Sequence, residues 1–399
     1  MRQTKIRLFK LDFLLGVAIV LCQIMNLQSL TSLLFYASFF VSAALWLSTT
    51  AEAFDRVDFL ALLIILVALV HVLINAVLCR ANVSFQYMKK YIMFCCSVIF
   101  LADMRRIQLD KADIRLLERL YLVIGLFMLF MFVTRNTQMH LFNGQYTQYL
   151  TFRFTNPNTT ALFLACMIMF LEIVGFQKEK GFFKTLLFLV ALIELYFLYL
   201  TKSRNALLAI VVFTVVALYF LIKKRKIVLK NWILAFAAVL PMVFAVVYMK
   251  VINTEGFNRL FSFIVGEGKS LDSRVRIWSP AFRAFEASPI FGAYYQVSNG
   301  TGMSQLHNTH VDILASYGLS VLVMVCIFLY VLMREKPQNT DAATHDSALL
   351  GFICALLLGI GEAALFAGGL SIYMFFGVFL ALANGEKGTK SDGATGLHQ

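Results

Sequence analysis

Charged residues are scarce in this 399-residue chain, in which Asp, Glu, Lys and Arg together make up 14% of the sequence. A soluble protein of this length would carry nearly twice that fraction. Hydrophobic residues supply 60% of the chain, and the mean hydropathy is +0.78. The shortage of charge argues against an ordinary soluble enzyme and favours an integral membrane protein.

Several catalytic sequence patterns are also missing. The chain has no Walker-type loop to cradle nucleotide phosphates and no Gly-x-Ser-x-Gly nucleophile elbow. It lacks the Asp-x-Asp of metal-dependent sugar-nucleotide transferases, and its seven cysteines lie mostly within apolar runs without metal-ligand spacing. Nucleotide-driven and serine-hydrolase mechanisms therefore have no support, and we expect no metal site and no cofactor.

Apolar runs near twenty residues long recur along the chain and predict transmembrane helices. The first run follows a basic start and has no small-residue cleavage site after it, so we interpret it as a retained helix and not as a signal peptide. We predict an all-α polytopic membrane protein, a single membrane domain over residues 1–399 with about twelve spans. The spans are expected near 12–28, 30–48, 57–78, 87–102, 116–134, 157–175, 182–200, 205–222, 232–251, 311–333, 347–366 and 368–384.

Lysines and arginines between the spans predict the topology. With the N-terminus in the cytoplasm, most basic clusters fall inside, including Arg105-Arg106, residues 223–226 and the tail at 385–399. The exception is Arg80, Lys89 and Lys90, where a missed or re-entrant span is an alternative. Since the topology explains most of the net charge of +13, that charge does not indicate nucleic acid.

The longest polar segment, residues 252–310, lies between spans nine and ten. The predicted topology makes it an extracytoplasmic loop, and residues 273–287 within it predict a short helix along the membrane surface. Residues 153–158 and 201–205 fall on the same face. These three segments can therefore converge on one site.

Arginines on this face are candidate anion ligands. Arg204 fits an interfacial anchor that reaches lipid headgroups, or a clamp whose guanidinium binds phosphate oxygens. Arg274 and Arg276 fit a solvated basic face or a pyrophosphate site.

His307 and His310 close the loop. Their spacing allows a metal pair, but no third ligand has suitable spacing, so the remaining roles are a structural histidine or a general base. Asn308 or Asp312 is a candidate cap for the helix that follows. Among intramembrane polar residues, His71, Asn75, Glu194 and Glu362 fit inter-helix hydrogen bonds better than a proton pathway.

Four short motifs occur in order over residues 150–330. They are FTNPN at 154–158, TKSRNA at 201–206, SRVRIW at 273–278 with SPIFG at 288–292, and HNTHVDILASYGL at 307–319. Within a polytopic chain, this series resembles the O-antigen ligase and O-antigen polymerase family of bacterial membrane glycosyltransferases. The first 140 residues resemble that family only in being helical.

The resemblance implies a metal-independent enzyme of the cytoplasmic (inner) membrane with an extracytoplasmic active site. It would transfer an oligosaccharide from an undecaprenyl-pyrophosphate carrier to an acceptor glycan. By position in the motifs, Arg204 and Arg274 would bind the pyrophosphate and His307 would accept the acceptor hydroxyl's proton. Substrate contacts are expected from Arg153, Asn158, Arg276 and Asn308.

Three activities are compatible with these motifs. We favour polymerisation of surface polysaccharide repeat units, with ligation of the glycan to a lipid or cell-wall acceptor as the alternative. A flippase or transporter for the lipid-linked oligosaccharide is the third, although its arginines should line the spans across the membrane's depth. A polymerase would have chain-length regulator and flippase proteins as partners.

Overall fold

The computed structural model describes most of the chain, with gaps between elements and at both ends. The described residues are 11, 14–19, 21–22, 25, 27–51, 54–78, 85–107, 109, 111–134, 149–152, 154, 157–177, 181–222, 229–252, 254–255, 272–293, 306–335, 342–362, 365–366 and 373–383. Arg153, loop residues 256–271 and 294–305, and the tail at 385–399 lie outside this set. Helix is the regular structure formed by the described residues, and no strand occurs among them.

Twelve helices follow one another along the described chain. They are α1 Gln28–Thr50, α2 Arg56–Leu78, α3 Phe85–Met104, α4 Lys111–Val133, α5 Pro157–Gln177, α6 Phe182–Leu200, α7 Arg204–Ile222, α8 Asn231–Val251, α9 Asp272–Ala287, α10 Thr309–Arg334, α11 Ala342–Leu358 and α12 Tyr373–Ala383. Residues 14–19 and 21–22 are helical as well and belong to the first predicted span.

The described helices confirm an all-helical, multi-pass membrane protein. Seven of them, α1, α2, α4, α5, α6, α8 and α10, are long and apolar enough to cross a bilayer. Parts of α7 and α11 are apolar but shorter. The count of twelve spans and the single-domain organisation stay predictions.

One predicted span differs from the structure in its length. The span expected at 347–366 is helix α11, which ends at Leu358 and is followed by turns at 359–361. A tightened last turn satisfies the final carbonyls, since Gly359 N, Ile360 N and Gly361 N donate to the carbonyls three residues earlier. Two side chains add to this: Asn205 Nδ2 donates to Leu358 O at 2.9 Å, and Asn308 Nδ2 donates to Ile360 O in the following turn at 3.1 Å. Because a helix leaves its last carbonyls without partners, these backbone and side-chain donors together stabilise the end of α11 at Leu358.

The bundle has two chemically distinct ends. At one end, Arg105 binds Asp55 and Glu335, and Arg106 binds Asp58, which joins the termini of α2, α3 and α10. At the other end lie the first residues of α5, α7 and α10 together with the last residues of α11. The 26 residues of α10 run from one end to the other, about 39 Å at 1.5 Å per residue.

Helix α10 is broken at Gly318, whose φ of 80° and ψ of −178° interrupt the helix. The turn at 288–293, which follows α9, lies in this break. Leu319 N donates to Pro289 O at 2.9 Å, and Ala293 N donates to Ala315 O at 2.7 Å. These two hydrogen bonds therefore connect the turn after α9 to the broken part of α10.

Glycine is required at the break for two reasons. Its positive φ is unfavourable for residues with a side chain, and a Cβ at position 318 would lie 1.8 Å from Ile290 O. An added methyl group would push the turn out of the helix break.

We predict that Gly318→Ala lowers the free energy of unfolding by about 2 kcal/mol or more, since it combines a left-handed conformation with a backbone clash. The measurement is thermal unfolding of the purified protein in detergent. Gly181→Ala is the matched control, because a Cβ there meets nothing within 4 Å. Equal unfolding midpoints for the two variants would contradict the docked turn.

Candidate active site

His307 occupies a backbone position that is fixed on both sides. Its φ of 51° places it in the left-handed region, which is uncommon for a residue with a side chain. The preceding carbonyl, Leu306 O, accepts a hydrogen bond from Trp278 Nε1 at 2.7 Å. The following residue caps α10. His307 therefore lies in a turn immediately before α10 begins.

Asn308 is the cap, which was one of its two expected roles. Its Oδ1 accepts from His310 N at 2.9 Å and Val311 N at 3.0 Å, and its Nδ2 donates to Pro241 O at 2.9 Å. With the bond to Ile360 O, the buried amide makes four hydrogen bonds inside the protein. The expected contact of Asn308 with substrate stays a prediction, and these four bonds give the residue a capping role in the structure.

Glu362 joins three segments of the chain through one carboxylate. Its Oε2 lies 2.6 Å from His307 Nδ1. Its Oε1 accepts from Asn158 Nδ2 at 2.6 Å and from Arg274 Nη2 at 3.3 Å. The residue is 7% exposed. The start of α5, the start of α9 and the turn before α10 therefore meet at a single buried acid.

The charge state of Glu362 follows from these contacts. Burial alone would raise the pKa of its carboxyl, but the hydrogen bond with His307 and the nearby His307 and Arg274 charges bring that pKa below its usual value. Glu362 is therefore ionised at neutral pH and accepts a hydrogen bond from His307 Nδ1–H. When His307 is neutral, this hydrogen bond places its ring proton on Nδ1 and leaves the lone pair on Nε2.

The other predicted site residues lie at the same end of the bundle or outside the described chain. Arg204 begins α7 and is exposed, and the next residue, Asn205, contacts the turn that leads to Glu362. Arg276 is exposed on α9. The expected contact from Arg153 lies outside the described residues. The structure thus brings His307, Arg274 and Asn158 together, with Arg204 at the same end.

His310 has a structural role. It is fully buried, and its Nε2 lies 2.7 Å from Ala238 O on α8. Among the described residues, no group of three or more His, Cys, Asp or Glu side chains is arranged to hold a metal ion. The expectation of a metal-independent site stays a prediction.

Sequence reasoning did not place Glu362 in the site. It lies within the apolar run expected at 347–366, so it was interpreted as an inter-helix contact. The available signal was the pair Gly359 and Gly361 just before it, because two glycines this close are typical of a helix end.

Comparisons with known proteins bear on the family resemblance. Residues 186–326 match the model of the family described as O-antigen ligase, which confirms the resemblance found in the motifs. The match contains Arg204, Arg274 and His307, whereas Asn158 and Glu362 lie outside it.

A curated relative is the teichuronic acid biosynthesis protein TuaE of Bacillus subtilis (strain 168). It is 25% identical over 325 residues, an alignment that covers 73% of this chain and 65% of the relative. The chain therefore spans less than two thirds of the length of that relative. No solved structure matches the chain.

The lowered pKa of Glu362 gives a pH prediction. A group whose pKa falls on folding stabilises the protein above its usual pKa, 4.5 for this residue, and loses that contribution as the pH falls through the lower, folded value. We expect Glu362→Gln to cost about 2 kcal/mol of unfolding free energy at neutral pH. The difference from the native protein should shrink below pH 4.5.

Thermal unfolding in detergent as a function of pH is the measurement. Glu286→Gln is the control, since Glu286 is exposed on α9 and is not among the residues that contact Glu362. A difference for Glu362→Gln that stays constant through the acidic range would contradict the ionised, paired carboxylate.

Proposed function

We propose that this chain, whose residues 186–326 match the O-antigen ligase family, is a membrane glycosyltransferase that acts at the extracytoplasmic face of the cytoplasmic membrane. It transfers an oligosaccharide from an undecaprenyl-pyrophosphate carrier to a hydroxyl of an acceptor glycan. The observation that carries this proposal is the contact of His307 and Arg274 with one buried carboxylate at one end of a transmembrane bundle.

His307 is the general base in the proposed reaction. The ionised Glu362 accepts a hydrogen bond from His307 Nδ1–H, with 2.6 Å between Nδ1 and Oε2. The opposite ring nitrogen, Nε2, is then the atom that accepts the proton of the acceptor hydroxyl. The acceptor oxygen forms a bond to the anomeric carbon of the donor sugar as the bond from that carbon to the pyrophosphate oxygen breaks. The leaving group is undecaprenyl pyrophosphate, and the proton stays on His307.

Arg274 and Arg204 stabilise the leaving group. Guanidinium groups bind phosphate oxygens through paired hydrogen bonds, and fixed positive charge at a site where negative charge develops lowers the barrier. The Arg274 side chain is 27% exposed while one of its nitrogens contacts Glu362, so it is oriented and still accessible. Arg276, Arg153 and Asn158 are further substrate contacts, and Asn158 Nδ2 also donates to Glu362.

The membrane location fits the donor. A polyprenyl chain needs an apolar environment beside a cationic headgroup site, and the bundle exposes large apolar side chains along its helices. The activated donor already contains the energy for transfer. The proposal therefore includes no nucleotide, metal or other cofactor.

Polymerisation of repeat units is the form of this activity that we propose, in keeping with a relative named for biosynthesis of teichuronic acid. The description of the matching family as O-antigen ligase favours ligation as the second candidate. A gene deletion separates them. Loss of a polymerase leaves single repeat units on the acceptor, whereas loss of a ligase leaves finished polymer on the lipid carrier.

A flippase fits the charge distribution less well. Apart from Arg119, which is exposed on α4, the described arginines lie near helix ends or on α9. Lys90 is a buried lysine that is paired with Asp312 inside the bundle, and the pair carries no net charge. A lipid-linked glycan crossing the bilayer would need polar contacts along its path.

We predict that His307→Ala, Arg274→Ala and Arg204→Ala each reduce polysaccharide formation about 100-fold or more, because each removes a proton acceptor or a charge that acts in the transition state. The measurement is surface polysaccharide amount and chain length in a deletion strain complemented with each variant. Amounts are normalised to the protein present in the membrane.

Arg283→Ala is the matched control, since Arg283 is exposed on the same helix as Arg274 and takes no part in the proposed reaction. It should retain native polysaccharide formation. Native polymer from well-expressed His307, Arg274 and Arg204 variants would refute the catalytic assignment.

The side of the membrane is tested by labelling. Single cysteines replace Arg204 and Lys230, which are both exposed and lie near opposite ends of the bundle. We predict that an impermeant maleimide added to spheroplasts labels position 204 and not position 230. The reverse pattern would place the site in the cytoplasm.

A further inference from the structure

Four polar residues of α2, α3 and α10 have no part in the proposed chemistry. Lys90, Tyr87 and His71 all lie within the first four helices, and Asp312 lies in the first turns of α10. Each of the first three contacts the same short piece of α10, residues 309–317, which lies between the cap and the break at Gly318. This piece is called the α10 head below.

Lys90 forms a buried ion pair with the α10 head. Its Nζ lies 2.7 Å from Asp312 Oδ1, and the two side chains are 8% and 0% exposed. Buried charges are tolerated when they are paired, and removing one partner leaves the other at a cost of several kcal/mol. The pair therefore strongly favours one position of α3 relative to the α10 head.

Two more side chains hold the end of the α10 head. Tyr87 Oη donates to Ser316 O at 3.1 Å, and His71 Nδ1 donates to Tyr317 O at 2.5 Å. The break at Gly318 leaves carbonyls without their usual helical partners, and in a membrane such groups must be satisfied inside the protein. Helices α2 and α3 supply these donors.

The α10 head is attached directly to the catalytic group. Asp312 N donates to Asn308 O at 3.0 Å, one residue after His307. Thr309 N donates to Gly359 O at 3.0 Å, in the turn that leads to Glu362. A shift of the α10 head therefore moves both His307 and the turn that presents its carboxylate.

We propose that Lys90 is a positioning residue for glycan transfer: through Asp312 it fixes the α10 head, and thereby His307 against Glu362. The inference rests on the proposed function. It gives a role to α3, which lies in the part of the chain without family motifs. It also accounts for a lysine on the face where the topology predicts few positive charges.

The decisive variant combines Lys90→Met with Asp312→Asn. It removes both charges, so no buried charge is left unpaired and the fold should be retained. We expect polysaccharide per membrane protein to fall about ten-fold, since a small displacement of a catalytic group reduces the rate strongly. Lys90→Met alone should lose more, and Lys90→Arg, which keeps the charge, should retain most activity.

A chemical readout separates positioning from general stability. Diethyl pyrocarbonate modifies neutral imidazoles, and mass spectrometry gives the rate at each histidine of the purified protein. In the double variant, the rate at His307 should rise as its contact with Glu362 loosens. The rate at His345, whose Nδ1 contacts Ala383 O near the opposite end of the bundle, should stay unchanged.

Three outcomes would overturn the inference. Native polymer in the double variant, with His307→Ala inactive, removes the role of Lys90 and leaves the proposed function intact. Reduced polymer with an unchanged His307 rate shows a structural role only. Native polymer in His307→Ala refutes the proposed function itself. If the double variant fails to accumulate, Lys90→Gln with Asp312→Asn keeps a hydrogen bond between the helices and is judged by the same criteria.

Discussion

The carboxylate of Glu362 is the interaction on which the candidate site depends. An isolated carboxylate this deeply buried would be strongly destabilising, so it requires donors that satisfy it. The donors are His307, Arg274 and Asn158, which belong to three segments far apart in the sequence. Satisfying one buried charge therefore forces these segments together, and the same contacts orient the histidine and one arginine.

Interrupted helices make this arrangement possible. Backbone groups inside a membrane must find partners within the protein. Helix α11 can end at Leu358 because backbone N–H groups of residues 359–361 bond its last carbonyls, Asn205 also donates to Leu358 O, and Asn308 donates to Ile360 O in the turn. Helix α10 breaks at Gly318 because a turn after α9 and side chains from α2 and α3 supply others. The side chains that satisfy the backbone also fix where the site residues lie.

The sequence predicts the helices better than it predicts the site. Long apolar runs locate the helices, and counting them places the segments of Asn158, Arg204 and His307 at one end, where the structure has them. Motif resemblance selects His307 and Arg274. It does not find Glu362, because hydropathy averaged over a span hides a single acid, and an apolar run does not show where a helix ends. Nor does it find the partner of Lys90, which lies 222 residues away.

Lys90 and Arg204 show that the distribution of positive charges predicts the topology but does not distinguish the functions of individual residues. Lys90 is paired with Asp312 inside the bundle, so it adds no net charge to its side of the membrane and needs no re-entrant span to explain it, since α3 is a continuous helix. Arg204 is exposed at the site end, and the described residues give it no acidic partner. A cation placed there without a protein anion can be neutralised by an anionic substrate. In the proposed reaction, the pyrophosphate of the donor is that anion.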